Sequence, residues 1–478
     1  MQEKKVKVLC LFDTPTGSTG FGQVSKNILK VLQATGKYEF DIVGVNFDGN
    51  YYDREEYPYK IFPAMNPLIQ SIAYRDPFGK QVFLDKLTKY EHDLVFIIQD
   101  TFQICPLAPY IIEAYDKAPA DRKFKWIYYY PIDAAPKKNW ITESVFFADY
   151  PVAYTKYAMD ETMKVFGDSD EDKLKAEIIK SKLNVIYHGV NREHFNAFNM
   201  TPELKKELKS KYFPPNVQDK FIFMNLNRNQ PRKDLFRSLQ VAKMLTDRRA
   251  AKGKNDAYFY FHCLFVDSGG DITQMASQIG LNGEALYGFG NPNRFNTIHG
   301  YPIAKVNEIY NAVDAVFSTT LGEGFGLSMI EGMATRKPVI FPRNTCIPEI
   351  IGSNQERGIL ADCGKNPNQF VVVPTIDNDR VRPVTDVEDM VNKMEDLLDN
   401  REKYNDMVQR AFEYAEALDW DGALVGQKWK DLFNGALEAV EEDRKAQATD
   451  FSKLGRNDDC PICKIKLKKC KHNEFSHM

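Results

Sequence analysis

The chain has no excess of either charge: 63 Lys and Arg stand against 66 Asp and Glu, a formal charge of −3 over 478 residues. A surface built to hold nucleic acid along its length is strongly basic, so any polyanion contact here has to be local. Long apolar runs are missing too. None approaches the ~20 residues of a membrane-spanning helix, and the N-terminal MQEKKVKVLCLF has no small-residue cleavage site of the signal-peptide kind. Cysteine is sparse: Cys10, Cys105, Cys263, Cys346 and Cys363 are scattered singly, which suits a reducing cytoplasm better than a disulfide scaffold. No short-period repeat occurs, which argues against a solenoid.

What is present is apolar and rhythmic. With 43% hydrophobic and 13% aromatic residues the chain can fill two cores. Val6–Phe12, Asp41–Phe47, Leu94–Gln99 and Trp126–Tyr130 read as short buried strands. Phe21, Val24, Ile28 and Leu32 mark one face of the first helix. After Asn184–Tyr187 and the segment HGVNREHF, a polar Lys-rich stretch separates two halves. The rhythm restarts with a strand at Phe221–Leu226, a helix at Leu235–Leu245 and a strand at Ala257–Phe265. A strand–helix–strand unit follows over 313–341. Residues 386–440 are helical, acidic and amphipathic, and the charged stretch around Glu441–Asp450 reads as a linker. The expected organisation is a first Rossmann-like domain over 1–200, a second over 201–440 including the terminal helices, and a linker with a small module over 441–478. Two doubly wound α/β domains place a ligand between the carboxyl ends of their strands.

Three strand-end loops carry candidate chemistry. Asp13-Thr14-Pro15-Thr16-Gly17-Ser18-Thr19-Gly20-Phe21-Gly22 lets backbone approach a phosphate or sugar closely, or is simply a tight turn. It is neither a P-loop nor a Gly-x-Gly-x-x-Gly fingerprint. In NLNRNQPRKD, residues 225–234, Arg228 and Lys233 are five apart, either as a basic turn in solvent or as two cations for a diphosphate leaving group. In LGEGFGLSMIEGMATRKPVI, residues 321–340, Glu323 falls in a loop and Glu331 in the helix that follows. Eight helical residues rise by about 12 Å, more than the roughly 5–9.5 Å between the carboxylates of a glycoside hydrolase. The pair therefore reads as two grips on one elongated ligand, with a helix N-terminus between them. Alone, it equally fits a dipole complement and a solvent-facing side chain.

GEGFGLSMIEGMATRKPVI followed by CIPEIIG resembles the retaining GT-B glycosyltransferases of the family-4 type. NRNQPRK resembles that family's Arg…Lys diphosphate loop, VIYHGVNREHF its interdomain segment, and TGFGQVSKNIL its N-terminal glycine loop. EIYNAVDAVFSTTLGEGFG continues the likeness upstream, so that it covers most of residues 5–430. The resemblance implies a GT-B fold and transfer of a sugar, with retention, from a UDP- or GDP-sugar to a hydroxyl. Arg228 and Lys233 would bind the diphosphate. Glu323 would contact the transferred sugar, and Glu331 the ribose hydroxyls. The backbone around Gly324, Phe325, Gly326 and Leu327 would position sugar and phosphate, and Gly20 and Gly22 would close from the other domain. No catalytic metal is implied. Many members have a histidine where this chain reads WIYYYPIDAAP; Asp133 is the nearest polar group, as a sugar or acceptor contact or as a turn cap. His188 and His299 read as structural hydrogen-bonders.

The last residues, LGRNDDCPICKIKLKKCKHNEFSHM, hold three further cysteines. Cys460, Cys463, Cys470 and His472 make a tetrahedral zinc set, with His477 as the alternative fourth ligand. Gly455-Arg456-Asn457-Asp458 resembles the start of the SEC-C motif, although each ligand pair here is one residue wider and Gly-Ser-Gly is missing. Residues 450–478 carry seven Lys or Arg against four Asp or Glu, which fits docking on a protein or on DNA as well as a solvated face. The acceptor hydroxyl is left open among a saccharide, a protein and a hydroxymethylated DNA base. A non-catalytic adaptor docking through its tail is the alternative class.

Overall fold

The computed structural model describes residues 5–64, 76–287, 301–373 and 378–448. Two parallel sheets form the frame. The first contains β1 (Val6–Asp13), β2 (Tyr38–Val45), β3 (Lys60–Pro63), β4 (Leu94–Ile98), β5 (Lys125–Tyr130), β6 (Tyr150–Ala153) and β7 (Asn184–Val185), in the order β3-β2-β1-β4-β5-β6-β7. The second contains β8 (Phe221–Leu226), β9 (Ala257–His262), β10 (Ala285–Tyr287), β11 (Ala315–Phe317), β12 (Val339–Pro342) and β13 (Ile359–Ala361), in the order β10-β9-β8-β11-β12-β13. The neighbours pair in parallel throughout. The expected pair of doubly wound α/β domains is what the chain forms.

Parallel strands covered by helices on both faces are apolar on both faces. In β1, Val8, Cys10 and Phe12 enter one core, and Leu9 and Leu11 enter the other. The first of these cores runs on into the second domain through Ile222, Met224 and Tyr258. A third core, on the far face of the second sheet, packs Phe223, Phe259, Phe261 and Phe317 against Leu239 and Leu245 of helix α2 (Leu235–Ala251). The strand expected over Asp41–Phe47 begins earlier, at Tyr38, and ends at Val45, where Asn46 turns the backbone with φ +63°.

The expected layout of the C-terminal segment needs correcting. The long helix α5 (Gly426–Ala448) returns to the first domain, after α3 (Leu327–Ala334) and α4 (Val387–Asp399) of the second. Trp429 meets Phe96 and Tyr129 at 5.6 and 4.8 Å, and Phe433 meets Tyr38 at 5.5 Å. The segment read as a linker is helical through Ala448. Its charges are paired: Lys125 Nζ lies 2.5 Å from Asp443, and Arg444 2.8 Å from Asp93. Trp429, Phe433, Ala436 and Val440 keep helical spacing, and all four are buried. The described residues up to Val190 together with α5 therefore form one body, while Asn196 and Phe198 already hydrogen-bond to Asn307 and Asn311 of the second domain. The tail with Cys460, Cys463, Cys470, His472 and His477 lies outside the described residues.

Candidate active site

In each sheet the strand order reverses next to its first strand, between β1 and β4 and between β8 and β11. The crevices opened by these two reversals face each other across one cleft of about 840 Å³, lined from both domains.

The loop after β8 is pinned by buried asparagines. Asn225 donates to Ser238 at 2.9 Å, Asn227 to Asn225 at 2.7 Å, and Asn229 to the Gly270 carbonyl at 2.7 Å. Between and after them stand the cations. Pro231 opens a single 3-10 turn, Pro231–Lys233, and Asp234 at φ +46° leads into α2. The Leu321 amide donates to the Arg232 carbonyl at 2.8 Å, which ties this loop to the one after β11. Lys233 Nζ then donates to Glu323 Oε1 at 2.6 Å, with Arg232 3.6 Å from the other carboxylate oxygen. Burial pushes the Glu323 carboxyl up, but Lys233 and Arg232 outweigh it and hold the group below the usual range. Burial draws the Lys233 ammonium down in spite of Glu323. Arg228 stands at the mouth of the cleft, half exposed, with its Nε 2.8 Å from Asp267.

Gly326, at φ +92°, starts helix α3. Adding a Cβ at this left-handed position would strain the turn. The amides of Gly324, Phe325 and Leu327 have no hydrogen bond among the described residues, and all three residues line the cleft. Glu331, in the second turn of α3, receives a hydrogen bond from Tyr310 at 2.7 Å. Burial raises its carboxyl to about 7 against that hydrogen bond. Because α3 begins only at Leu327, half of the interval from Glu323 to Glu331 is loop, and the 12 Å helical rise does not apply to it.

The first domain closes against this wall through glycines. A Cβ on Gly324 would lie 2.9 Å from Pro131, one on Gly20 3.5 Å from Leu327, and one on Gly322 2.2 Å from the Asp133 carbonyl. Gly22 is placed differently. It is buried in the first turn of α1 (Gly20–Gln33), where a Cβ would lie 2.7 Å from the Thr14 carbonyl. Thr19 caps that helix, accepting from Gly22 at 3.0 Å while donating to Asp13 at 2.6 Å.

Asp133 joins the two domains. Its carboxylate pairs with Arg232 at 3.1 Å and with Arg382 at 3.0 Å, and its carbonyl also accepts from Arg382. Burial pushes the Asp133 carboxyl up, and the two guanidinium groups bring it below its ordinary value. Asp100, at the end of β4, is pushed up to about 7 by burial and by neighbouring Asp133. His188 is buried and shares a 2.8 Å hydrogen bond with Tyr129, and burial lowers it to about 3, so it lines the cleft as a neutral ring. His299 lies outside the described residues.

The structure thus brings Asp133, Lys233, Glu323 and the start of α3 together, with Arg228 and Glu331 on the same cleft. Sequence reasoning missed Arg232, Arg382, Gly322 and Tyr310. Arg232 stands beside Lys233 in a loop already singled out. Arg382 sits on a short hairpin strand, Val381–Pro383, whose sequence carries no motif.

Comparison with known proteins agrees with this architecture. Residues 284–400 match the family model described as Glycosyl transferases group 1. No curated protein matches the chain in sequence. Solved structures do match in fold. A glycosyltransferase from Rickettsia africae has 17% identity and a TM-score of 0.62, with 91% of this chain and 99% of that one covered. Sucrose-phosphate synthase from Thermosynechococcus elongatus has 14% identity and a TM-score of 0.63, with 91% and 100% covered. Anabaena HepE, in complex with UDP and glucose, has 14% identity and a TM-score of 0.61, with 90% and 100% covered. The chain has the GT-B fold. Among the described residues no helix is long and apolar enough to cross a membrane.

Proposed function

We propose that the chain is a retaining glycosyltransferase that moves a sugar from a nucleoside-diphosphate donor to a hydroxyl acceptor. The observation that carries this reading is the Lys233–Glu323 pair, seated in the cleft at the start of α3 with Glu331 one turn further along the same helix. A diphosphate at that helix start meets unbonded amides, the positive end of the helix and the Lys233 ammonium. Lys233, with Arg228 at the mouth, offsets the charge that grows on the leaving phosphate. Glu323 accepts from hydroxyls of the transferred sugar, and Glu331 from the ribose diol. Lys233 is then shared between Glu323 and phosphate, so sugar and leaving group are oriented by one contact network.

In the reaction the acceptor oxygen bonds to the anomeric carbon as its bond to the phosphate oxygen breaks. The departing phosphate takes the acceptor proton on the same face, and configuration is kept. A UDP-type donor is supported by the fold likeness to HepE, whose structure holds UDP and glucose. The test is slow hydrolysis of a panel of UDP- and GDP-sugars without acceptor, followed by the anomeric form of the released sugar. No donor bound or hydrolysed would leave an adaptor built on the same fold.

A further inference from the structure

The cleft is electrically lopsided. Among the described lining residues, Arg228, Arg232, Lys233, Arg380 and Arg382 come from the second domain alongside Glu323 and Glu331, while the first supplies Asp13, Asp100 and Asp133 and no Lys or Arg. Asp133 is committed to two guanidinium groups, and Asp13 accepts from Thr19 and Asn46 at 2.6 and 3.2 Å. Asp100 differs. It lines the cleft beside the β1–β4 reversal, and its carboxylate has no hydrogen-bond partner among the described residues. Next along the wall, the rings of Phe102 and Trp140 lie 5.6 Å apart at 52°, both half-buried and both facing the cleft. Two cations neighbour the Trp140 ring: Arg380, which donates to the Ala135 carbonyl at 3.2 Å and sits 5.4 Å from the ring centroid, and Lys137, outside the cleft lining, whose Nζ is also 5.4 Å from it.

Resting on the glycosyl-transfer reading, we propose that this first-domain wall selects an uncharged saccharide as acceptor, held face-on by Trp140 and Phe102 and hydrogen-bonded through its hydroxyls to Asp100. The chemistry follows from the wall itself. An aromatic face packs the C–H side of a sugar ring, and a carboxylate without a partner accepts from hydroxyls. Above about pH 7, where Asp100 is ionised, a phosphorylated sugar or a nucleic-acid backbone brings its negative charge against Asp13 and Asp100, and no first-domain Lys or Arg stands among the described lining residues to offset it. The cations of the cleft serve the donor half, where a diphosphate belongs.

Trp140 supplies the readout. Trp126, Trp420 and Trp429 are buried at 2%, 5% and 0% exposure, so a ligand entering the cleft meets only the fourth tryptophan of the chain. The full chain, loaded with UDP or GDP, is titrated with methyl glucoside, maltose, cellobiose, glucose 6-phosphate and a short DNA duplex, by tryptophan emission and by calorimetry. A neutral saccharide is expected to change the emission and to bind at least tenfold more tightly than glucose 6-phosphate or DNA, a factor of about ten being 1.4 kcal/mol. Trp140→Ala is expected to weaken that saccharide by about tenfold, while Trp140→Phe keeps it within roughly threefold. Asp100→Ala should weaken it comparably, and Asp100→Asn should narrow the gap to glucose 6-phosphate. Equal or tighter binding of glucose 6-phosphate or DNA overturns the proposal, as does saccharide binding that ignores Trp140→Ala and Asp100→Ala. A chain that binds nucleotide but none of the saccharides also overturns it and leaves the donor reading standing. A chain that binds neither nucleotide nor sugar-nucleotide overturns the donor reading itself.

Discussion

Replacing Glu331 with Gln separates stability from donor binding at a single side chain. In the folded chain burial raises this carboxyl from 4.5 to about 7, with Tyr310 supplying a 2.7 Å hydrogen bond. A folded-state pKa above the unfolded one means that the fold favours the protonated acid. Below about pH 4.5 both states are protonated and the group is neutral to stability. Between there and about pH 7 the unfolded chain ionises first, so stability falls as pH rises, and above about 7 the whole cost is present. At about 1.4 kcal/mol per unit the cost reaches up to roughly 3 kcal/mol, and access of water from the cleft lowers it. Glutamine carries no charge and its carbonyl still accepts from Tyr310. Glu331→Gln should therefore unfold at a higher temperature than the parent at pH 8 and at the same temperature at pH 4.5. In the parent, a ribose diol donating to Glu331 favours the ionised form, so nucleotide affinity should rise with pH through about 7 and binding near pH 6.5 should release protons. Calorimetry in buffers of different ionisation enthalpy measures that release, which the variant should lack along with much of the affinity. A variant no more stable at pH 8, or one that binds nucleotide as well as the parent with the same proton release, would refute the reasoning.

Lys233→Met leaves the Glu323 carboxylate buried beside Arg232 alone, and breaking such a pair costs about 3 kcal/mol. Adding Glu323→Gln should return most of the thermal midpoint but none of the donor hydrolysis, which should fall by about 10²–10³ through loss of charge stabilisation at the leaving phosphate. Recovery of turnover in the double variant would mean that Lys233 serves only Glu323. Gly324→Ala places a methyl 2.9 Å from Pro131 across the domain boundary. Turnover should drop by about tenfold with an unchanged circular dichroism spectrum, and full activity would show that the two walls need not meet. The tail should bind one Zn2+ per chain, as measured by atomic emission. Cys460→Ser with Cys463→Ser should abolish it without changing nucleotide affinity, and zinc retained in that variant would place the metal elsewhere.

The parts legible in the sequence were those in which local chemistry decides the structure. An apolar run such as Leu94–Ile98 is a buried parallel strand whatever surrounds it, and Gly326 marks its turn because its backbone sits at φ +92°. Cations at 228 and 233 lie in one short loop, and acids at 323 and 331 in one loop and the helix it opens, where spacing along the chain and position in space nearly coincide. The failures share the opposite cause. Arg382 reaches Asp133 across a sequence separation of 249, and Arg444 reaches Asp93 across one of 351. Nothing local distinguishes those arginines from solvated ones. The charged stretch around Glu441–Asp450 reads as a linker because charge along the sequence does not show its partners, although the apolar spacing from Trp429 to Val440 requires a surface to cover. That surface was the exposed back of β4 and β5, which a helix from the far end of the chain completes. The same crossing gives the cleft a fixed frame: the first domain is built from both ends of the described chain, and the second is inserted between them. The two connections, near Val190 and Leu418, are themselves joined by a 2.6 Å backbone hydrogen bond. An opening that pivots near that bond has to break the Asp133 bridge to Arg232 and Arg382, which holds the two walls of the cleft together.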